Sequence, residues 1–261
     1  MTIGLLISRQ RSGTGALGSV LDQHPQVAYL GEVLHNDSVD KLPNYFAFLH
    51  SELAANPRAY LPSQRVATFD RYMAFLEQYT PKPIKFLDVK YNSTHHLNGF
   101  WHSISDPPIL IERAKHLRLP VVHLVRKNLL RAFISGKLAE ANKVWHATRT
   151  DEITIIKMAI VSHQLTNYIR TGTEEINLIA EFLARCERLL CLEYSLLFDQ
   201  HGILPRTALQ LQDFLGIDEI TLVKPNFVKQ VEGRLEDIIE NYDEIYRLLI
   251  RTPHSWMLFS P

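Results

Sequence analysis

An apolar run from Ile3 to Ile7 stops at a turn of small and basic residues, Arg9-Gln10-Arg11-Ser12-Gly13-Thr14-Gly15, and a helical stretch follows at once. Strand, turn and helix N-terminus in that order present backbone N–H groups and the positive end of a helix dipole to an anion. Two arginines in the turn add full charge suited to phosphate or sulfate oxygens. The segment calls for a polyanionic ligand and for a fold in which strands feed helices.

Three nucleotide-binding patterns compete for this stretch. Gly13-Thr14-Gly15-Ala16-Leu17-Gly18 satisfies the spaced-glycine pattern of NAD-linked Rossmann enzymes, and Glu32, 19 residues past Gly13, stands where a ribose-binding acid is expected. A Rossmann turn, however, runs almost directly from its strand into the first glycine, and here the polar residues Ser8 to Ser12 intervene. The loop of P-loop nucleotidases needs a Gly-Lys-Ser/Thr that is missing at the required spacing. The third pattern fits better. Arg11-Ser12-Gly13-Thr14 resembles the phosphosulfate loop of sulfotransferases that use 3′-phosphoadenosine-5′-phosphosulfate (PAPS), in which a Lys or Arg precedes Ser-Gly-Thr/Ser. Asp22-Gln23-His24-Pro25 and Gly31-Glu32-Val33-Leu34-His35 are similar to the "SHP…GE" passage of the bacterial carbohydrate branch, which holds the nodulation-factor and trehalose sulfotransferases.

A second cluster agrees with the third pattern. Leu119 to Val125 is a short β-branched apolar run, the signature of a buried parallel strand. It ends in Arg126-Lys127-Asn128-Leu129-Leu130-Arg131, and Ser135 lies nine residues past Arg126. Cations at a helix N-terminus oppose the dipole and call for an anion. In the family that this resembles, an arginine and a serine so placed bind the 3′-phosphate of the cofactor. Cys191-Leu192-Glu193-Tyr194 resembles the family's "YEDL" strand end, with Ser195 where an acid is usual. Pro225 to Gln230 with Ile239 to Glu244 resembles its C-terminal segment, and Ile84 to Asn92 resembles its "GFKLMYN" strand.

The resemblance implies a PAPS-dependent sulfotransferase of the carbohydrate branch, with a P-loop-kinase-like sulfotransferase fold. Its cofactor-binding set would be Arg9, Arg11, Ser12, Gly13, Thr14, Gly15, Ala16, Arg126, Ser135, Tyr194 and Lys229. Glu32 would be the general base and Arg11 would stabilise the leaving phosphate, with His35 as the competing base. Lys90, Asn92, Trp145 and His146 would face the acceptor, a small molecule or glycan, and no metal would be required. The remaining alternatives are an NAD-linked oxidoreductase on Gly13, Gly15, Gly18 and Glu32, and a non-catalytic nucleotide-binding protein.

Strands are expected near residues 3–7, 27–30, 84–89, 120–125 and 188–193. Helices are expected at 14–23, 44–55, 65–79, 109–117, 128–142, within 151–185, and at 205–215 and 236–250. Short apolar strands alternating with helices specify an α/β domain, here a single one over 1–261, with a mainly parallel sheet flanked by helices. Ligands then bind outside the carboxyl ends of the strands. The chain has 261 residues, 46% hydrophobic, enough for a full core. Its 28 basic and 28 acidic residues balance, so no global field points to nucleic acid or an acidic membrane. Cys186 and Cys191 are expected as buried thiols suited to a reducing compartment. No stretch reaches a membrane span and the N-terminal apolar run is short for a signal peptide, so a cytoplasmic location is expected. His95, His96 and His102 show no metal-ligand spacing. The aromatics Tyr45, Phe46, Phe48, Phe69, Tyr72 and Phe75 fall at helical spacing and read as core. Nothing in the sequence fixes the oligomeric state.

Overall fold

The central strand is built from the first apolar run. β1 (Thr2–Ser8) pairs in parallel with β3 (Ile84–Lys90) on one side and β4 (Val121–Val125) on the other. β2 (Val27–Glu32) and β5 (Leu189–Glu193) form the edges, so the sheet order is β2-β3-β1-β4-β5 and every pairing is parallel. The computed structural model describes residues 2–36, 39–98, 106–145, 147–154, 156–220, 223–228, 231 and 233–260. His102, His146 and Lys229 lie outside the described residues.

Helices cover both faces, which is why β1 and β3 are buried almost throughout. Leu5, Ile7, Leu87, Val89 and Val121 point to one face, against α3 (Arg65–Tyr79), α4 (Ile109–His116) and α6 (Ser162–Leu183). Leu6, Phe86, Val122 and Leu124 point to the other, against α1 (Thr14–Asp22) and α7 (Pro205–Leu215). α1 presents Leu17, Val20 and Leu21, a helical spacing that puts three apolar side chains on one stripe. α2 (Tyr45–Ala55) packs on α3 through Tyr45, Phe48, Phe69 and Tyr72, all buried, so the expected aromatic core is found there. A third cluster joins α5 (Leu129–Asn142) and α6 to α8 (Leu235–Ile238) and α9 (Tyr242–Leu249). A small antiparallel pair, β6 (Phe198–Asp199) and β7 (Gly202–Ile203), stands apart from the main sheet.

Two sequence expectations change. The region 151–185 is α-helical only from Ser162, because Met158 bridges to Ile239 and exchanges backbone hydrogen bonds with Ile238 and Glu240. β-Branched Ile153, Thr154, Ile156, Ile160 and Val161 favour that extended path. The helix expected over 236–250 breaks into α8 and α9, where the Asn241 side chain bonds both the N–H and the carbonyl of Ile160. Cys186 is buried as expected, whereas Cys191 is exposed because β5 is an edge strand; both are free thiols.

From β1 the chain moves towards β2 at one edge, and from β4 to β5 at the other, so the connections diverge outside the carboxyl ends of β1 and β4. Such a switch point is where open α/β sheets bind ligands. The order also disfavours the Rossmann alternative, in which β2 lies beside β1. Here β3 separates them.

Candidate active site

The turn after β1 holds its shape through left-handed backbone at Arg11 (φ 62°) and Gly13 (φ 84°). Gly13 also lies flat against a ring: a Cβ there would sit 2.6 Å from Tyr194, which follows β5. Gly13 caps the N-terminus of α1, with no side-chain cap among the described residues, which leaves the first-turn N–H groups without an intrahelical partner. Gly13→Ala is expected to cost more than about 1 kcal/mol, since both the positive φ and the Tyr194 contact oppose a methyl group. Its measure is the chemical-denaturation midpoint, and an unchanged midpoint would contradict this packing.

Two guanidinium groups meet beside the turn. Arg126, at the end of β4, is only 6% exposed; its Nη1 donates to the Arg11 carbonyl at 2.8 Å, and its guanidinium lies 4.3 Å from the centroid of the Tyr194 ring. Arg11 donates through Nε and Nη2 to Ser135 Oγ, at 3.1 and 2.9 Å, and through Nη1 to the Trp145 carbonyl at 2.8 Å. Burial pushes both guanidinium groups below their ordinary value, and the neighbouring positive charge of Arg126 pushes Arg11 further. The ionisable groups around Arg126 are Arg11, Tyr194, Tyr168 and Arg131, and no ion pair joins it to a carboxylate among the described residues. A buried charge without a counter-charge is costly. An incoming anion would supply one.

The other two cations of that cluster are committed elsewhere. Lys127 pairs with Glu193 at 2.7 Å, and Arg131 donates to the Ser260 carbonyl at 2.9 Å. Asn128 caps α5 by accepting from the Arg131 N–H, while its amide group donates to the carbonyls of Met257 and Ser260.

Across the turn, Glu32 ends β2 and lies 3.3 Å from Lys90 Nζ at the end of β3. Lys90 is 4% exposed and donates to Asp88 Oδ1 and Oδ2, at 2.6 and 2.7 Å, and to Thr14 Oγ1 at 2.5 Å. The carboxyl ends of the strands therefore carry a cationic half, at β1 and β4, and a mixed-charge half holding Glu32, at β2 and β3.

No family model matches the sequence, and no curated protein matches it. Among solved structures, the chain is similar to a sulfotransferase from Alicyclobacillus acidocaldarius, at 14% identity and a TM-score of 0.49, over 99% of this chain and 94% of that one. It is also similar to the sulfotransferase domain of the Synechococcus PCC 7002 olefin synthase, at 14% identity and a TM-score of 0.40, over 96% and 86% of the two chains.

Most of the residues singled out in the sequence converge on this end of the sheet, though not always in the expected partnership. Arg11 was expected at the phosphosulfate loop and Ser135 with Arg126; instead Arg11 carries the bonds to Ser135 and links the two clusters. Arg9 turns away from the loop's N–H groups to pair with Glu175 at 2.7 Å, its guanidinium 3.9 Å from the centroid of Tyr168. Ser12 and Thr14 are buried in the loop, and Gly15 and Ala16 form the first turn of α1. Lys90 is enclosed by its partners and not open to an acceptor, because three of the four oxygens around it belong to buried Asp88 and Thr14. Asn92 is exposed and borders a cavity of about 220 Å³ shared with Tyr91, His95 and Glu175. Trp145 is 55% exposed, and its carbonyl accepts from Arg11. His35 is exposed.

Sequence reasoning missed Asp88, Tyr29, Tyr168 and Glu175. Asp88 and Lys90 alternate with apolar residues in a wholly buried strand, a polar pair on one face that period-two reading could have flagged. Tyr168, Gly172 and Glu175 share one face of α6 by their spacing of four and three. Gly172 leaves room for Arg9, which a Cβ would approach to 3.2 Å. Nothing short of the fold connects that face to residue 9.

Beneath the site, His123 of β4 lies 2.6 Å from the Tyr91 hydroxyl through Nε2, and burial pushes it down to about 4. The unfolded chain binds this proton more readily, so stability is intact above about pH 6.5 and falls as pH drops towards 4. The gap is worth about 3 kcal/mol, an order-of-magnitude figure. His123→Gln is expected to flatten that part of the curve of melting temperature against pH, and an equally steep variant curve would remove His123 from the account.

Proposed function

We propose that this protein transfers a sulfuryl group from PAPS to an acceptor hydroxyl of a carbohydrate or glycolipid. The observation that carries the reading is the buried Arg126 guanidinium, without a carboxylate among the described residues, joined through Arg11 to Ser135 at the switch point of the sheet. The loop residues Ser12 to Ala16 would hold the phosphosulfate end, and Arg126, Arg11 and Ser135 the 3′-phosphate. Tyr194 would lie against the base, and Lys229 would close the site. PAPS, when bound, supplies an activated sulfur whose bond to the 5′-phosphate oxygen breaks as the acceptor oxygen attaches. Glu32 receives the hydroxyl proton, a task for which position outranks intrinsic acidity. Arg11 and the first-turn N–H groups of α1 receive the charge that develops on the leaving phosphate, donors fixed before the reaction as in an oxyanion hole. Asn92, Trp145 and His146 would face the acceptor.

An aliphatic hydroxyl is a weak acid, so a placed carboxylate matters more for a sugar than for a phenol. Labelled-PAPS assays over mono- and disaccharides, glycolipid headgroups and phenols are expected to show turnover on sugars, and turnover on phenols alone would refute that acceptor class. The product nucleotide 3′-phosphoadenosine-5′-phosphate (PAP) is expected to raise the melting temperature; at a hundred times its Kd it adds about 2.7 kcal/mol. Adenosine 5′-phosphosulfate, without the 3′-phosphate, should act far more weakly. Equal response to both, or preference for NAD, would sink the proposal.

A further inference from the structure

The corner that holds Glu32 contains more machinery than a base requires. Lys90 has three N–H donors, and four oxygens surround them: two of Asp88, the Thr14 hydroxyl and one of Glu32. Asp88 is 1% exposed and accepts a further bond, from the Tyr29 hydroxyl at 2.6 Å. Tyr29 is in turn fixed by Gly18, where a Cβ would sit 2.4 Å from its ring. The third glycine of the spaced-glycine pattern thus serves a tyrosine.

The distances divide the ammonium unequally. Asp88 takes the close share at 2.6 Å, and Glu32 the longer one at 3.3 Å. A carboxylate that must accept a proton cannot spend its charge on a full ion pair, yet one left unheld would swing away from an incoming anion. A cation already engaged by a second carboxylate meets both demands. Thr14 belongs to the anion loop, so the same ammonium ties the base to the place where the donor would bind.

We infer that Asp88 and Tyr29 are positioning residues that act through Lys90, holding the Glu32 carboxylate beside the anion loop in a state able to take a proton. The inference rests on Glu32 being the base of the proposed transfer. In that step the acceptor oxygen bonds to sulfur, and the sulfur–oxygen bond to the 5′-phosphate breaks with its electron pair leaving on PAP. The hydroxyl proton moves to a Glu32 oxygen, and Lys90 keeps its own protons throughout.

The test compares the parent with Asp88→Asn and Tyr29→Phe, measuring PAP affinity by calorimetry, kcat with labelled PAPS, and the Lys90 ammonium signal in protein carrying nitrogen-labelled lysine. Asp88→Asn is expected to lower kcat by at least about tenfold, or ~1.4 kcal/mol in the transition state, with PAP affinity nearly unchanged and the ammonium signal shifted. Tyr29→Phe keeps the ring on Gly18 and is expected to show the same split, smaller; it carries the test if Asp88→Asn does not fold. Full kcat in Tyr29→Phe and Asp88→Asn, or equal losses of kcat and PAP affinity, would overturn the inference, the second result marking Asp88 as a mere support of the loop. A parent that neither binds PAP nor turns over PAPS would instead overturn the proposed function itself.

Discussion

Replacing Arg126 by methionine is expected to weaken PAP binding by about 1.5–3 kcal/mol, the range for a hydrogen bond to a charged group. The ligand-free protein should be no less stable, and even somewhat more so. Arg126 is buried with Arg11 as a like-charged neighbour and without a carboxylate among the described residues, so an apolar side chain of similar size relieves a cost. The lost bond to the Arg11 carbonyl works against this and sets the limit of the gain. Calorimetry with PAP and the melting temperature without it measure the two sides. Parent-like PAP affinity would remove Arg126 from the 3′-phosphate site, and Lys127 and Arg131 are poor substitutes because Glu193 and the Ser260 carbonyl engage them. A guanidinium kept for ligand binding costs stability in the ligand-free protein, whereas a structural arginine would give the opposite result.

The second large effect concerns Glu32. Glu32→Gln is expected to retain PAP affinity and lose activity by the ~10²–10⁴-fold typical of a general base. Glutamine keeps the shape and one oxygen for Lys90 but cannot take the proton. Activity equal to the parent, together with an inactive His35→Ala, would shift the role to His35. That residue is exposed. Single-turnover assays on the two variants separate the cases.

Where the sequence was legible, a local rule decided the structure. Ile3–Ile7 and Leu119–Val125 are apolar runs too short for helices, and each became a buried parallel strand. The strand ends gathered Ser8, Lys90, Arg126 and Tyr194 because strands in a parallel sheet all point the same way. What stayed hidden was partnership across distance. Arg11 and Ser135 are 124 positions apart and Arg9 and Glu175 are 166 apart, and no local pattern tells which cation goes with which oxygen. Lys90 reads as a polar strand-end residue facing an acceptor, yet Asp88 of its own strand, Thr14 of α1 and Glu32 of β2 enclose it. The break between α8 and α9 was hidden for the same reason, since Asn241 is taken up by Ile160 from another part of the chain.

The position of β1 in the middle of the sheet has a consequence for how the molecule comes into being. β1 is flanked by β3 and β4, so it is made before both of its partners, residues 84–90 and 121–124. Until those emerge, Ile3 to Ile7 has no sheet to join, and an unpaired apolar strand is a site for aggregation. Closing such long loops before any pairing is rewarded also slows the search for the native state. Refolding from denaturant should therefore be slow and sensitive to protein concentration, and in cells β1 needs protection until its partners have been made. The strand that carries the anion loop can be enclosed only after both of its neighbours have followed it.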